Sequence, residues 1–130
     1  MSAAEAPTAK QVVRLVARVT VNGPGGEESV RAKVDTGADR TTVDSELAAK
    51  LRLDSTGSKV MVKALGGSQL MERPLVKATV TLKGKTFKLT VGVADRSQMR
   101  YRMIVGRDIL RSGYFLIDPS RKRKKQQVSS

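Results

Sequence analysis

The sequence predicts a mainly β protein, a small closed barrel with one or two short helices. Three observations lead there. Short runs rich in Val, Thr and Leu alternate with Gly- and Pro-bearing turns along most of the chain. Only "DSELAAKLRL" and "RDILRSG" look helical, the first through apolar residues spaced four apart, the second as a short apolar stretch closed by glycine. At 130 residues the chain has single-domain size, and with aromatics at 3% and no Trp its core has to be Val, Leu, Ile and Ala.

Taken in order, residues 1–10 are small and polar and are expected to be a disordered lead-in to a folded domain over 11–120. "QVVRLVARVTV", Gln11 to Val21, mixes β-branched residues with alternating charge and reads as one strand. The Gly/Pro turn "NGPGGE" follows, and "ESVRAKV" returns as a second strand that ends at Asp35. Thr41-Thr42-Val43 forms a short strand, and Asp44 or Ser45 caps a helix whose Leu47 and Leu51 share one face. "SKVMVKAL" and "SQLMERPLVKATVTL" flank Gly66-Gly67 as a hairpin with a glycine tip, in which Pro74 breaks the ladder or marks an edge. "TFKLTVGVA" is a further strand. "MRYRMIV" runs into Gly106, "RDILRSG" is a short helix closed by Gly113, and "YFLID" is the last strand.

Composition narrows the chemistry. There is no cysteine and no histidine, which removes disulfides, thiol nucleophiles, Ser-His and Cys-His pairs and ordinary zinc sites. Hydrolysis would have to run on carboxylates, hydroxyls or amines. No apolar run reaches the ~18 residues that span a bilayer, and "MSAAEAPTAK" has no apolar signal core, so a soluble cytoplasmic protein without membrane contact is expected. The net charge is +13. Part of it sits in "RKRKK", Arg121 to Lys125, within a basic tail over 121–130 that reads as disordered or as a weak nucleic-acid contact. The tail holds no aromatic residue, so base stacking there has no support.

One motif stands out. "AKVDTGADRTTV" places Asp35-Thr36-Gly37 directly behind an apolar strand. Alone it fits a turn as well as a catalytic loop. A carboxylate that hydrolyses peptides needs a second one close enough to share a proton, one acting as base on water while the other donates to the substrate carbonyl. "DTG" occurs once, so a second copy of the chain would have to supply the partner, with the two Asp35 groups meeting on a two-fold axis. Gly37 allows close backbone approach, and Thr36 can lock the loop through its hydroxyl. Ala38 has no hydroxyl to stabilise a charged carboxylate, so activity is expected at mildly acid to neutral pH. Asp95, Asp108 and Asp118 read as turn or cap residues.

"DTGAD" followed by "MIVGRDIL" resembles the retropepsins, the retroviral-type aspartic proteases, over roughly residues 11–118. The resemblance implies a retropepsin-type barrel active as a two-fold homodimer, with Asp35 catalytic and no cofactor or metal. It implies that Thr36, Gly37, Ala38, Asp39 and Arg107 support the loop, Asp39 and Arg107 as a buried ion pair. It also makes the tip of "VKALGGSQL", Leu65-Gly66-Gly67-Ser68, a flap over the substrate. In wording, "ERPLVKATV", "ADRSQM" and "FLIDPS" are similar to prokaryotic proteins labelled ATP-dependent zinc proteases, themselves retropepsin-like. Without His, Cys or a Gly-Lys-Ser/Thr phosphate loop, neither zinc nor ATP finds support in this chain. The expected activity is therefore an aspartic endopeptidase acting on a peptide or protein. Charge and the resemblance to that prokaryotic group favour acidic, glutamate-extended substrates. The alternative is a catalytically weak retropepsin-like module whose basic surface recruits RNA, ribosome or an acidic protein.

Overall fold

The structure, a computed structural model, describes residues 10–63 and 66–120. The expected disorder of the ends, the nucleic-acid contact through 121–125 and the flap residue Leu65 lie outside the described residues.

Nine strands and two helices are present among those described: β1 Gln11–Val13, β2 Val16–Gly23, β3 Gly26–Val34, β4 Thr42–Asp44, α1 Ser45–Lys50, β5 Asp54–Lys63, β6 Leu70–Leu82, β7 Lys85–Ala94, β8 Met103–Val105, α2 Arg107–Ser112 and β9 Phe115–Ile117. The sheet runs β2-β3-β8-β4-β7-β6-β5, and β6 pairs back onto β2 from Thr20↔Thr81 to Asn22↔Thr79. That last pairing closes a six-stranded barrel and leaves β5 outside the ring as the outer arm of a hairpin. Closure removes the sheet edges that an open β sheet would expose.

Alternation sets the inward face. In β3, Val30, Ala32 and Val34 are buried while Ser29, Arg31 and Lys33 are exposed. In β6, Val76, Ala78, Val80 and Leu82 point in. The core is Val, Leu, Ile and Ala, as the composition requires, with Met103 and Phe115 added. Leu47 and Leu51 are both buried, so α1 lies against the barrel by the face its spacing marks out. Truncating a leucine sealed in this way costs about 2–5 kcal/mol.

Three local features differ from the reading of the sequence. The stretch Gln11 to Val21 is two strands, because β1 pairs parallel with β9 while β2 pairs antiparallel with β3, and the change of partner breaks the strand at Arg14 and Leu15. Pro74 stays in the ladder opposite Lys59, beside a bulge in β5 and one residue beyond the last pair that β6 makes with β7, so its missing N–H disturbs little. Gly113 closes α2 as expected, but at φ −91, and the left-handed conformation falls to Tyr114, at φ 57. Glycine is needed at 113 for space, since a Cβ there would stand 2.4 Å from the Phe115 ring.

Short β8 positions the site. It lies between β3 and β4, parallel to β3 with Val34 opposite Val105. Parallel neighbours end on the same side of a sheet. The residues after each strand, Asp35 after β3 and Gly106-Arg107 after β8, therefore leave the barrel together.

Candidate active site

The Asp35 amide donates to the Val105 carbonyl at 2.9 Å, which continues the β3–β8 ladder by one step and fixes where the loop begins. The loop then turns tightly: the Ala38 amide donates to the Asp35 carbonyl at 3.2 Å, and the Gly37 amide donates to Asp35 Oδ1 at 2.9 Å. Asp35 is half-buried. Its Oδ2 accepts no hydrogen bond among the described residues.

The start of α2 clamps this turn from below. The Arg107 amide donates to the Ala38 carbonyl at 2.8 Å, and its guanidinium Nη1 donates to the Thr36 carbonyl at 2.7 Å. Nη2 pairs with the Asp39 carboxylate. The pair expected from the sequence is there but it is not buried, because the Asp39 side chain is 87% exposed. The loop stands out from the barrel, so its carboxylate remains in water. Gly106 has to be glycine, since an added Cβ would lie 2.7 Å from the Arg40 backbone and 2.9 Å from the Ala38 carbonyl oxygen.

Two residues that sequence reasoning left without a role at the site complete the support. Thr41 is fully buried; its amide and Oγ1 donate to the two oxygens of Asp108, at 2.9 and 2.7 Å, and the Gly106 amide donates to Thr41 Oγ1 at 3.1 Å. Arg96, also buried, donates its Nε to the Tyr101 carbonyl at 2.8 Å and its amide to Asp44 Oδ1 at 2.7 Å. Burial lowers the Arg96 pKa, nearby Arg73 lowers it further, and Asp44 and Asp35 pull the other way, so the guanidinium lies within electrostatic reach of the candidate carboxylate. It stays charged at any working pH. A Thr two residues past a turn gives no sequence signal of this kind, and Arg96, though part of the "ADRSQM" likeness, was given no role at the site.

The carboxylates sort by how fully they are occupied. Asp44 accepts from the Glu46 amide, the Arg96 amide and Arg102 Nη2. Asp108 accepts two bonds from Thr41 and one from the Ile109 amide. Asp95 and Asp118 close turns onto Ser97 and Ser120. Asp35 accepts a single bond, from its own loop. Among the described residues no three acidic side chains come together to hold a metal ion, and no helix is long and apolar enough to cross a membrane.

The tip residues Gly66, Gly67 and Ser68 are exposed, with Gly66 at φ +74 as the turn requires. A cavity of about 320 Å3 lies between the Asp35 loop, β4 and the β5–β6 hairpin. A larger hollow of about 560 Å3, lined in part by Asn22, Lys77 and Lys88, contains no residue of the Asp35 loop. The smaller one is therefore the candidate for substrate.

Comparison with known proteins agrees with this geometry. The chain is similar to the EIAV protease in complex with the inhibitor HBY-793, with a TM-score of 0.60 and 24% identity over 80% of this chain and 91% of that one. It is also similar to Lpg0085, a protein of unknown function from Legionella pneumophila, with a TM-score of 0.55 and 18% identity over 85% of this chain and 95% of that one. Both likenesses concern the fold. No curated protein sequence matches the chain. A profile described as aspartyl protease matches residues 17–109, a span that runs from β2 through the Asp35 loop to Ile109 of α2. With most of the chain inside that match, the protein belongs to the aspartyl protease family.

Proposed function

We propose that the protein is a homodimeric aspartic endopeptidase in which Asp35 of each subunit supplies one half of the catalytic pair. The observation that carries this is the state of Asp35: of the carboxylates fixed by the barrel's ends, it is half-exposed and holds one hydrogen bond, while Asp44 and Asp108 each hold three. Structural carboxylates use up their acceptor capacity; one kept short of partners is available for chemistry.

In the reaction two Asp35 side chains meet across the two-fold axis and share one proton, because two like charges in contact do not both ionise. The charged carboxylate takes a proton from water while the oxygen attacks the peptide carbonyl carbon. The other carboxyl gives its proton to the carbonyl oxygen, which yields a tetrahedral diol. Collapse breaks the C–N bond, a proton moves to the leaving nitrogen, and the shared proton is restored. The Gly37 amide holds Oδ1, which fixes the carboxylate plane, and Arg107 holds the loop. In this reading Thr36 braces the partner's loop, and the hairpin tip at Gly66, Gly67 and Ser68 closes over the bound peptide.

The test is Asp35→Asn beside the unchanged protein on a mixed peptide library. Loss of all cleavage with unchanged folding supports the reading, and equal cleavage by both refutes it.

A second reading, a non-catalytic module that recruits RNA or an acidic protein, draws on a basic cluster in which Arg31 and Arg100 lie 5.8 and 5.6 Å from the Tyr101 ring centre, with Arg18 and Arg102 beside them. A steeply salt-dependent affinity for RNA, with no Asp35-dependent cleavage of any peptide, would favour it.

A further inference from the structure

The cavity beside the Asp35 loop has walls that are partly apolar, Val60 and Ile104 among them, yet two guanidinium-bearing side chains, Arg40 and Arg73, also line it. Both are half-buried. Arg40 donates Nη1 to Thr90 Oγ1 at 3.1 Å. Neither arginine forms an ion pair among the described residues. The one carboxylate in the lining, Asp39, is engaged by Arg107.

Arg73 is held in place from behind. Its stem crosses Gly92 of β7 so closely that a Cβ on Gly92 would stand 2.9 Å from Arg73 Cδ. The glycine leaves a bare stretch of backbone for the stem, and the side chain lines the cavity. Burying cations without a counter-charge costs free energy that a bound anion recovers. Guanidinium suits a carboxylate particularly well, because its fork of N–H donors matches the two oxygens.

The geometry points to a carboxylate-binding subsite in which Arg40 and Arg73 together receive an aspartate or glutamate side chain of the substrate peptide. This rests on the peptidase reading and gives the acidic substrates expected from charge a named binding site. A two-fold dimer carries the cavity twice, once on each side of the paired Asp35 residues. An extended peptide lying across the axis therefore meets one arginine pair before the cleaved bond and one after it. Recognition is symmetric about the cleaved bond, with an acidic residue on both sides.

The test has two arms. In the first, the cleavage sites that the protein selects in a mixed peptide library are read by mass spectrometry. Acidic residues are expected to be enriched on both sides of the cut, by roughly tenfold over their amides, the size of one charge-assisted hydrogen bond. Arg40→Gln and Arg73→Gln each collapse that enrichment, Arg73→Glu turns it toward lysine, and Arg111→Gln, which removes the same single charge elsewhere, preserves it. No acidic enrichment by the unchanged protein, or enrichment that survives Arg73→Gln, overturns the subsite. In the second arm the Asp35→Asn protein is titrated with a fluorescent Glu-containing peptide and with its Gln twin. Roughly tenfold tighter binding of the Glu peptide, lost in Arg73→Gln, supports the subsite even if the unchanged protein cleaves nothing. Equal binding of the twins overturns it, whatever the fate of the peptidase reading.

Discussion

Thr41 and Asp108 are joined twice: the Thr41 amide donates to Asp108 Oδ2 at 2.9 Å and its hydroxyl to Oδ1 at 2.7 Å. The first residue follows the Asp35 loop and the second opens α2, so the two bonds tie the exit of the loop to the helix that braces it. Thr41 Oγ1 also accepts from the Gly106 amide. Removing the hydroxyl leaves the buried Gly106 amide without its acceptor and takes one bond from Asp108 Oδ1, which keeps that of the Ile109 amide.

Thr41→Val, which keeps shape and deletes the hydroxyl, is therefore expected to cost about 2–3 kcal/mol, while Thr41→Ser costs less than about 1 kcal/mol. Urea unfolding checks both. Equal stability of the valine and serine variants would show that the hydroxyl is not what holds the two segments.

Arg107 makes a sharper separation. It touches both the Thr36 carbonyl and the Asp39 carboxylate, but Asp39 lies open to water and its pairing contributes little. Asp39→Asn should reduce stability by under about 1 kcal/mol. Arg107→Lys removes the fork that reaches Thr36 and lets the loop shift, so turnover is expected to fall on the order of a hundredfold. Steady-state kinetics on one peptide compare the two. An Asp39→Asn defect as large as that of Arg107→Lys would place the function of the arginine in the ion pair instead.

Asp44 makes stability depend on acid. Burial alone would raise its pKa, but the Arg96 amide, the Arg102 guanidinium and the Glu46 amide together hold it below the ordinary carboxylate value. A folded-state value below the unfolded one means that the group stabilises the fold above the unfolded pKa, near 4, and loses that effect as pH falls through the folded value. Asp44→Asn keeps the helix cap and removes the charge. The stability gap between the two proteins should be level, at about 1–3 kcal/mol, from near-neutral pH to about pH 5, and should narrow below about pH 4. Unfolding curves across that range decide it, and a gap that widens with acid contradicts the assignment.

How much of this was legible in the sequence follows from the range of the interactions. The barrel and α1 could be read because period-two alternation and the Asp44 cap are local, as the burial of Val30, Ala32 and Val34 shows. The Asp35 loop was legible because its glycine, its acid and its neighbours are consecutive. The split between β1 and β2 was not, because it depends on β9 at the far end of the chain choosing Gln11–Val13 as its partner. The Thr41–Asp108 tie joins residues on separate segments, and neither looks unusual where it stands. Arg40 and Arg73 were invisible for the same reason: only the fold turns two ordinary basic residues into the lining of one cavity.

Whether two chains build one site is tested most directly by mixing. Unchanged protein and Asp35→Asn protein are combined in equal amounts at fixed total concentration, allowed to exchange subunits, and assayed on a single peptide. A site built from one Asp35 of each subunit predicts about one quarter of the activity of the unchanged protein, because only dimers with two intact carboxylates work. About one half, the value for chains that act independently, would contradict the shared site.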